Sequence, residues 1–308
     1  MKKFCLSHVK KENRIHFNGK LTTLQKKKLI SWLFLLPSLI GVIVFFVAPF
    51  MVVIYYSMIN NPIQKEFVGF ANYVNVWNNA AFKQAAKNTL MFSFLAVPLA
   101  VILSLFLAAV MESRIPFKSY FRTFFLSPLM VPTASVVLIW QVMFHQNGLV
   151  NNVGTFFGAQ KIDWLKSDYA AVVIIVLFLW KNLGYNMILF MAALASIPRD
   201  LLEACALEKA NKWQVFWMIK VRYMSSTILF VAIMSLISSF KVFREVYLMT
   251  GDYPYQTLYI LQHFMNNTFA SLDYQKLSAA AIIMFIVVTI LVYIMYAIEN
   301  YYGKDVEG

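Results

Sequence analysis

The sequence predicts an all-α fold, a polytopic integral membrane protein with six transmembrane helices. Three observations carry this expectation. Of 308 residues, 60% are hydrophobic and only 13% are charged, against about 25% charged in a soluble domain. Charge-free apolar runs recur along the chain, and the basic residues gather at their ends. A mean hydropathy of +0.65 leaves no soluble interior large enough to hide so much apolar sequence behind a wettable surface. Lipid is the solvent for much of this chain.

A helix needs about 20 apolar residues to cross the hydrocarbon core. No charge lies between Lys28 and Lys65, which places segment 1 at 29–58, with Pro37 and Pro49 expected to bend it. This run is too long for the apolar region of a secretory signal, so it is expected as a retained span. Segment 2 covers 88–111 between Lys87 and Glu112, and segment 3 covers 124–144 after Arg122. Segment 4 covers 169–197 and is interrupted by Lys181. Segment 5 is the weakest, 225–240, and segment 6 covers 277–298. The expected organisation is a basic N-terminal tail (1–28), a transmembrane region (29–302) with a long loop at 198–224, and a short C-terminal tail (303–308).

The net charge of +13 could suggest nucleic acid, but its distribution follows the rule that basic residues hold membrane loops on the cytoplasmic side. Nine Lys/Arg lie in the first 28 residues. With the N-terminus inside, the inner segments hold 18 Lys/Arg and the outer loops 8, with Lys181 intramembrane. Both termini are therefore expected to be cytoplasmic, and no nucleic acid is expected as a partner.

The chain has no GxxxxGK[ST] phosphate-binding loop and no HExxH. Its two cysteines, Cys5 and Cys205, form no metal pair and are expected as free thiols. No Asp or Glu falls within the six expected spans, so no carboxylate relay for proton coupling is expected. A transporter with neither an ion relay nor a nucleotide site must draw its energy from a partner, which directs attention to the loop at 198–224.

That loop reads IPRDLLEACALEKANKWQVFWMIKVRYM. Pro198 suits a helix start, and Asp200 and Glu203 are favourable near its positive end. Ala204, Leu207 and Glu208 share a face, and a break at Ala210-Asn211 followed by a second amphipathic helix, 213–218, is expected. The stretch EAxAxExAxxWQxFWxI, from Glu203 to Ile219, is similar to the EAA loop of binding-protein-dependent importer permeases. Further blocks extend the resemblance to the maltose-permease-like, carbohydrate-uptake branch: LFLLPSLIGVIVFFVAPF, EFVGFANYVNVWNNAAFKQAAKNTLMF, YFRTFFLSPLMVPTASVVLIWQVMF and TGDYPYQTLYI.

The resemblance implies an ABC-importer permease fold with a cytoplasmic coupling helix and no catalysis on this chain. It implies that Glu203, Ala204, Cys205, Ala206, Glu208, Lys209, Ala210, Trp213 and Phe216 engage an ATPase. Lys209 and Arg222 stand where that family usually has glycine and proline; the turn is expected to shift to Asn211 if the glycine serves a positive φ. The implied partners are a second homologous permease, two ATPase subunits and an extracytoplasmic solute-binding protein, in a lipid bilayer. No cofactor is implied on this chain; ATP and Mg would sit on the ATPase. The implied cargo is a sugar or oligosaccharide, with a polyol, glycerol phosphate or modified sugar as the nearer alternative and a secondary carrier as the distant one.

Sugars need hydrogen-bonding groups and aromatic faces along their path. The candidates are Trp140 and Gln141 in segment 3, Trp180, Asn182, Tyr185 and Asn186 in segment 4, and Ser235, Ser238 and Ser239 in segment 5. The competing expectation for these residues is interhelical packing or an interfacial aromatic belt. Lys181 is costly in lipid and is expected to face the protein interior or water, more readily as part of a structural pair than against cargo.

Overall fold

A computed structural model describes residues 23–113 and 116–303. Most of the basic tail, Arg114 and Lys304 lie outside the described residues. The chain divides into two units, 1–52 and 53–308. The first span, α1 (Ser31–Ser57), runs from one into the other. A π turn at Ile43–Val47 interrupts it. Pro49 has no N–H to donate to a carbonyl four residues earlier, and the widened turn lies where that bond is missing. Pro37, expected to bend the same helix, sits inside the unbroken stretch Thr23–Val42.

The remaining helices belong to the second unit: α2 (Ala71–Asn78), α3 (Ala80–Glu112), α4 (Lys118–Met130), α5 (Thr133–Met143), α6 (Leu149–Phe156) and α7 (Ala170–Ala195). They continue with α8 (Arg199–Leu207), α9 (212–223), α10 (Ser225–Phe240), α11 (Phe243–Thr250), α12 (Leu261–Ala270) and α13 (Tyr274–Gly303). Among the described residues the only β pairing is an isolated bridge, Ile59 to Phe67. Helices α1, α3, α7, α10–α11 and α13 are long and apolar enough to span a membrane.

The expected third span is corrected. In place of one helix over 124–144, α4 and α5 meet at a bend of 101°. Pro132 is the cause: it biases Val131 to extended backbone, observed at φ −88°, ψ 128°, and cannot itself continue the helix. The halves, 13 and 11 residues, are each too short alone for a bilayer core of about 30 Å. They complete the count of six only as a broken pair.

Segment 5 is also corrected. It does not end at Phe240 but resumes as α11 after a break at Lys241-Val242, giving a 26-residue span, Ser225–Thr250. This brings Glu245 into the span, so the expectation of no intramembrane acid is overturned. Segments 2 and 6 begin earlier than expected, at Ala80 and Tyr274. Asn79 caps α3 by accepting the Phe82 N–H at 3.1 Å.

Helices α3, α7 and α10 form the centre. Phe92 and Phe178 meet edge to face at 5.6 Å, within a buried cluster that includes Ala96, Val173, Leu177 and Val246. The α4–α7 crossing depends on Gly184, since a Cβ there would lie 1.9 Å from the Phe125 carbonyl oxygen. Gly184→Ala must push the broken third span away from α7. We expect a loss of about 1–3 kcal/mol, read as a lower apparent Tm of the purified protein in detergent, whereas Gly41→Ala, inside a helix and with open space around its Cβ position, does not lower Tm.

Candidate docking loop and membrane cavity

Two regions gather the polar and exposed groups: the α8–α9 loop and a cavity beside α7. Helix α8 follows Pro198, carries Asp200 in its first turn and buries none of its residues. Its end is a closed turn in which the Ala210 N–H reaches the Cys205 carbonyl at 3.0 Å and the Lys209 N–H reaches that of Ala206 at 3.1 Å. These two bonds form a Schellman motif, which requires a left-handed residue between them. Lys209 supplies it, at φ 56°. The expected shift of the turn to Asn211 is thus corrected: Asn211 is extended, at φ −67°, ψ 146°.

Asn211 has a different task. Its side chain accepts the Trp213 N–H at 3.4 Å, while its own N–H donates to Gln214 Oε1 at 3.0 Å. This reciprocal cap starts α9, which runs to residue 223 through a π turn at Val215–Lys220 and is longer than expected. Trp213, Phe216 and Trp217 cluster with ring centres 5.4–6.5 Å apart. Glu203, Ala204, Ala206, Glu208, Lys209 and Trp213 are exposed, whereas Cys205, Ala210 and Phe216 are half-buried. Lys220 Nζ holds both carboxylate oxygens of Glu112, at the end of α3, at 2.6 Å.

The cavity, about 450 Å³, lies between α7, α10, α11 and α12, with Thr133 at the start of α5 on its wall. Asn182 and Ser238 line it, together with Lys181, Lys241, Arg244, Glu245 and Gln262. Lys181 and Glu245 form an ion pair, the structural pairing expected of Lys181. Next to Gln262, burial pushes His263 down to about 4, against a weaker opposing pull from Asp252. His263 is therefore neutral at pH 7 and adds no charge.

The other candidates for the path lie outside the cavity lining. Asn186 is buried and donates to Ser235 Oγ at 3.0 Å, joining α7 to α10. Ser239 and Ser93 share a hydrogen bond at 2.8 Å, joining α10 to α3. Trp140 is buried and stacks on Phe144 at 5.1 Å, and Gln141 donates to the Met249 carbonyl at 2.8 Å. Trp180 lies near Trp140, with ring centres 6.3 Å apart; both Trp180 and Tyr185 are partly exposed and outside the cavity lining. Lys241, Arg244 and Glu245 were missed because their charges ended the apolar window. The spacing of Val242, Val246 and Met249, all buried, carries the helical signal across that gap.

A family described as "Binding-protein-dependent transport system inner membrane component" matches residues 96–300. The chain belongs to this family. The permease is 29% identical over 282 residues to the lactose transport system permease protein LacF of Rhizobium radiobacter, covering 89% of this chain and 94% of that one. It is 30% identical over 270 residues to the sn-glycerol-3-phosphate transport system permease protein UgpA of Pectobacterium atrosepticum, covering 84% and 90%. A crystal structure of a bacterial ABC transporter that imports the acidic polysaccharide alginate has the same fold, with a TM-score of 0.78 and 20% identity over 90% of this chain and 96% of that one. The permease is a multi-pass membrane protein, and its polar residues are to be read as parts of a transport subunit.

Two outcomes are expected. Glu245→Gln leaves the Lys181 ammonium unpaired beside the cavity and costs about 1–3 kcal/mol, while Lys181→Leu with Glu245→Leu regains most of it; thermal unfolding of the two variants in detergent checks this. Lys209→Gly relieves a left-handed lysine and raises stability by about 1 kcal/mol, read as a higher Tm or slower proteolysis at the α8–α9 turn.

Proposed function

We propose that this permease is the channel-forming subunit of an ATP-driven importer that carries a carbohydrate across the cytoplasmic membrane. The observation that carries the reading is the exposed hook made by α8 and α9. A helix with no fully buried residue, closed by a Schellman turn and followed by a capped aromatic helix, is suited to lie in another protein's groove. The chain has no phosphate-binding loop, so nucleotide energy would reach it through this contact. In this reading two ATPase subunits bind ATP and Mg, a second, homologous permease completes the path, and a solute-binding protein delivers cargo from outside.

The names of the relatives, with lactose, glycerol phosphate and trehalose/maltose among their cargoes, support a carbohydrate. So do the amide and hydroxyl groups of Asn182, Ser238 and Gln262 in the cavity. The basic bias supports cytoplasmic termini and a cytoplasmic hook. Lys241 and Arg244 lie inside a span, so two of the eight basic residues first counted outside leave that side and the bias widens.

Glu203→Lys tests the hook. Reconstituted with its partners, the variant is expected to insert and assemble while ATP-driven uptake falls at least tenfold and hydrolysis continues. Normal uptake would refute the assignment, as would cross-linking from Cys205 that never captures a nucleotide-hydrolysing subunit.

A further inference from the structure

The cavity beside α7 carries three cationic side chains, Lys181, Lys241 and Arg244, against one carboxylate, Glu245. That carboxylate is already engaged by Lys181. Among the described residues, neither Lys241 nor Arg244 has an acidic partner. Both are exposed to the cavity space. Unpaired cations within a span are costly in lipid and persist where water or a counter-ion meets them.

Helix electrostatics account for one of the two. Lys241 caps the C-terminus of α10, where the negative end of the dipole favours a cation. Arg244 sits in the first turn of α11, at the positive end, where the same effect opposes it. Helix stability therefore gives no reason for Arg244, whereas its planar guanidinium matches a carboxylate or phosphate through two parallel hydrogen bonds. Around it, Asn182, Ser238, Gln262 and Thr133 offer the neutral donors and acceptors that sugar hydroxyls need.

We propose that the cargo is an anionic carbohydrate, a saccharide bearing a carboxylate or phosphate, and that Arg244, assisted by Lys241, recognises the charge. The inference rests on the import reading above and narrows its substrate class. Lys181 is held out of this role by Glu245, so the selective charge comes from the break between α10 and α11.

The test uses the assembled importer with its own binding protein in proteoliposomes. Four radiolabelled probes are compared: a tetragalacturonate, its carboxyl-reduced neutral counterpart, glucose 6-phosphate and glucose. We expect ATP-dependent uptake of at least one anionic probe to exceed that of its neutral partner tenfold or more, and the member of the pair that is carried tells carboxylate from phosphate. Arg244→Gln should reduce that preference to within about twofold, Lys241→Gln should weaken it, and Arg244→Lys should retain part of it. Uptake of the neutral probes alone would overturn the proposal and leave carbohydrate import standing. A preference that survives Arg244→Gln would overturn this chain's role in it. Loss of assembly in Arg244→Gln would also overturn it, because the cation would then be pairing with a protein carboxylate in the complex. Uptake of none of the four would also overturn the proposal and leave carbohydrate import standing, since the four include neither the lactose nor the trehalose/maltose of the relatives' names.

Discussion

Lys181 and Glu245 neutralise one another between α7 and α11, and the polar arrangement of the second unit depends on that pair. In a low-dielectric bundle an ammonium without its carboxylate would have to reach water or another counter-ion, or pull the helices apart. With the pair made, α7 can carry Asn182 into the cavity and turn Asn186 into the core. The neutral polar groups follow the same constraint: Asn186 with Ser235, Ser93 with Ser239, and Thr89 accepting the Leu261 N–H at 2.9 Å. Each joins two helices whose apolar surfaces alone would not distinguish neighbour from lipid. Such hydrogen bonds set register more than they set stability.

The two breaks in the spans have the same logic. Irregular backbone at membrane depth is tolerated where protein or a water-filled space covers it. Pro132 ends α4 and starts α5, and Thr133, the next residue, lines the cavity. The break at Lys241-Val242 lines it from the other side. The cavity thus lies where two spans are interrupted, and the freed backbone there has polar surroundings.

The number of apolar passages was legible because hydropathy over about 20 residues reports burial in lipid directly. The breaks were not, because a window sum averages across them. Pro132 was visible but reads as tolerable in a membrane helix, and three charges between Lys241 and Glu245 outweighed the buried spacing of Val242, Val246 and Met249. In the loop, two helices with a turn between them were readable, yet the turn's position was not. Lysine is a poor left-handed residue, so the asparagine two places on appeared the better candidate. The Schellman bonds to Cys205 and Ala206 outweigh that preference, and Asn211 is used as a cap. Among the path candidates, Asn182 and Asn186 lie one helical turn apart, so spacing alone could not separate cavity from core. Only the neighbour, Ser235, decides it.

In the proposed coupling role, the hook would be stiff where it carries load and attached where it delivers it. A turn closed by two backbone bonds and a helix begun by a reciprocal cap leave little freedom between α8 and α9, so a displacement of α8 would move α9 with it. Lys220 then grips Glu112 at the C-terminal end of α3. That carboxylate sits at the unfavourable end of the α3 dipole, and the lysine offsets the repulsion. The pair is partly exposed and adds little stability, so its value lies in registering loop to helix. From α3 the contacts run through Phe92 to Phe178 on α7 and through Ser93 to Ser239 on α10, the two helices that wall the cavity. A path of packed contacts transmits coupling only if some element on it has two arrangements. The interruptions at Pro132 and at Lys241-Val242 are where the spans flanking the cavity lack continuous helical hydrogen bonding, so a push on the hook would be taken up there as a change in the shape of the cavity.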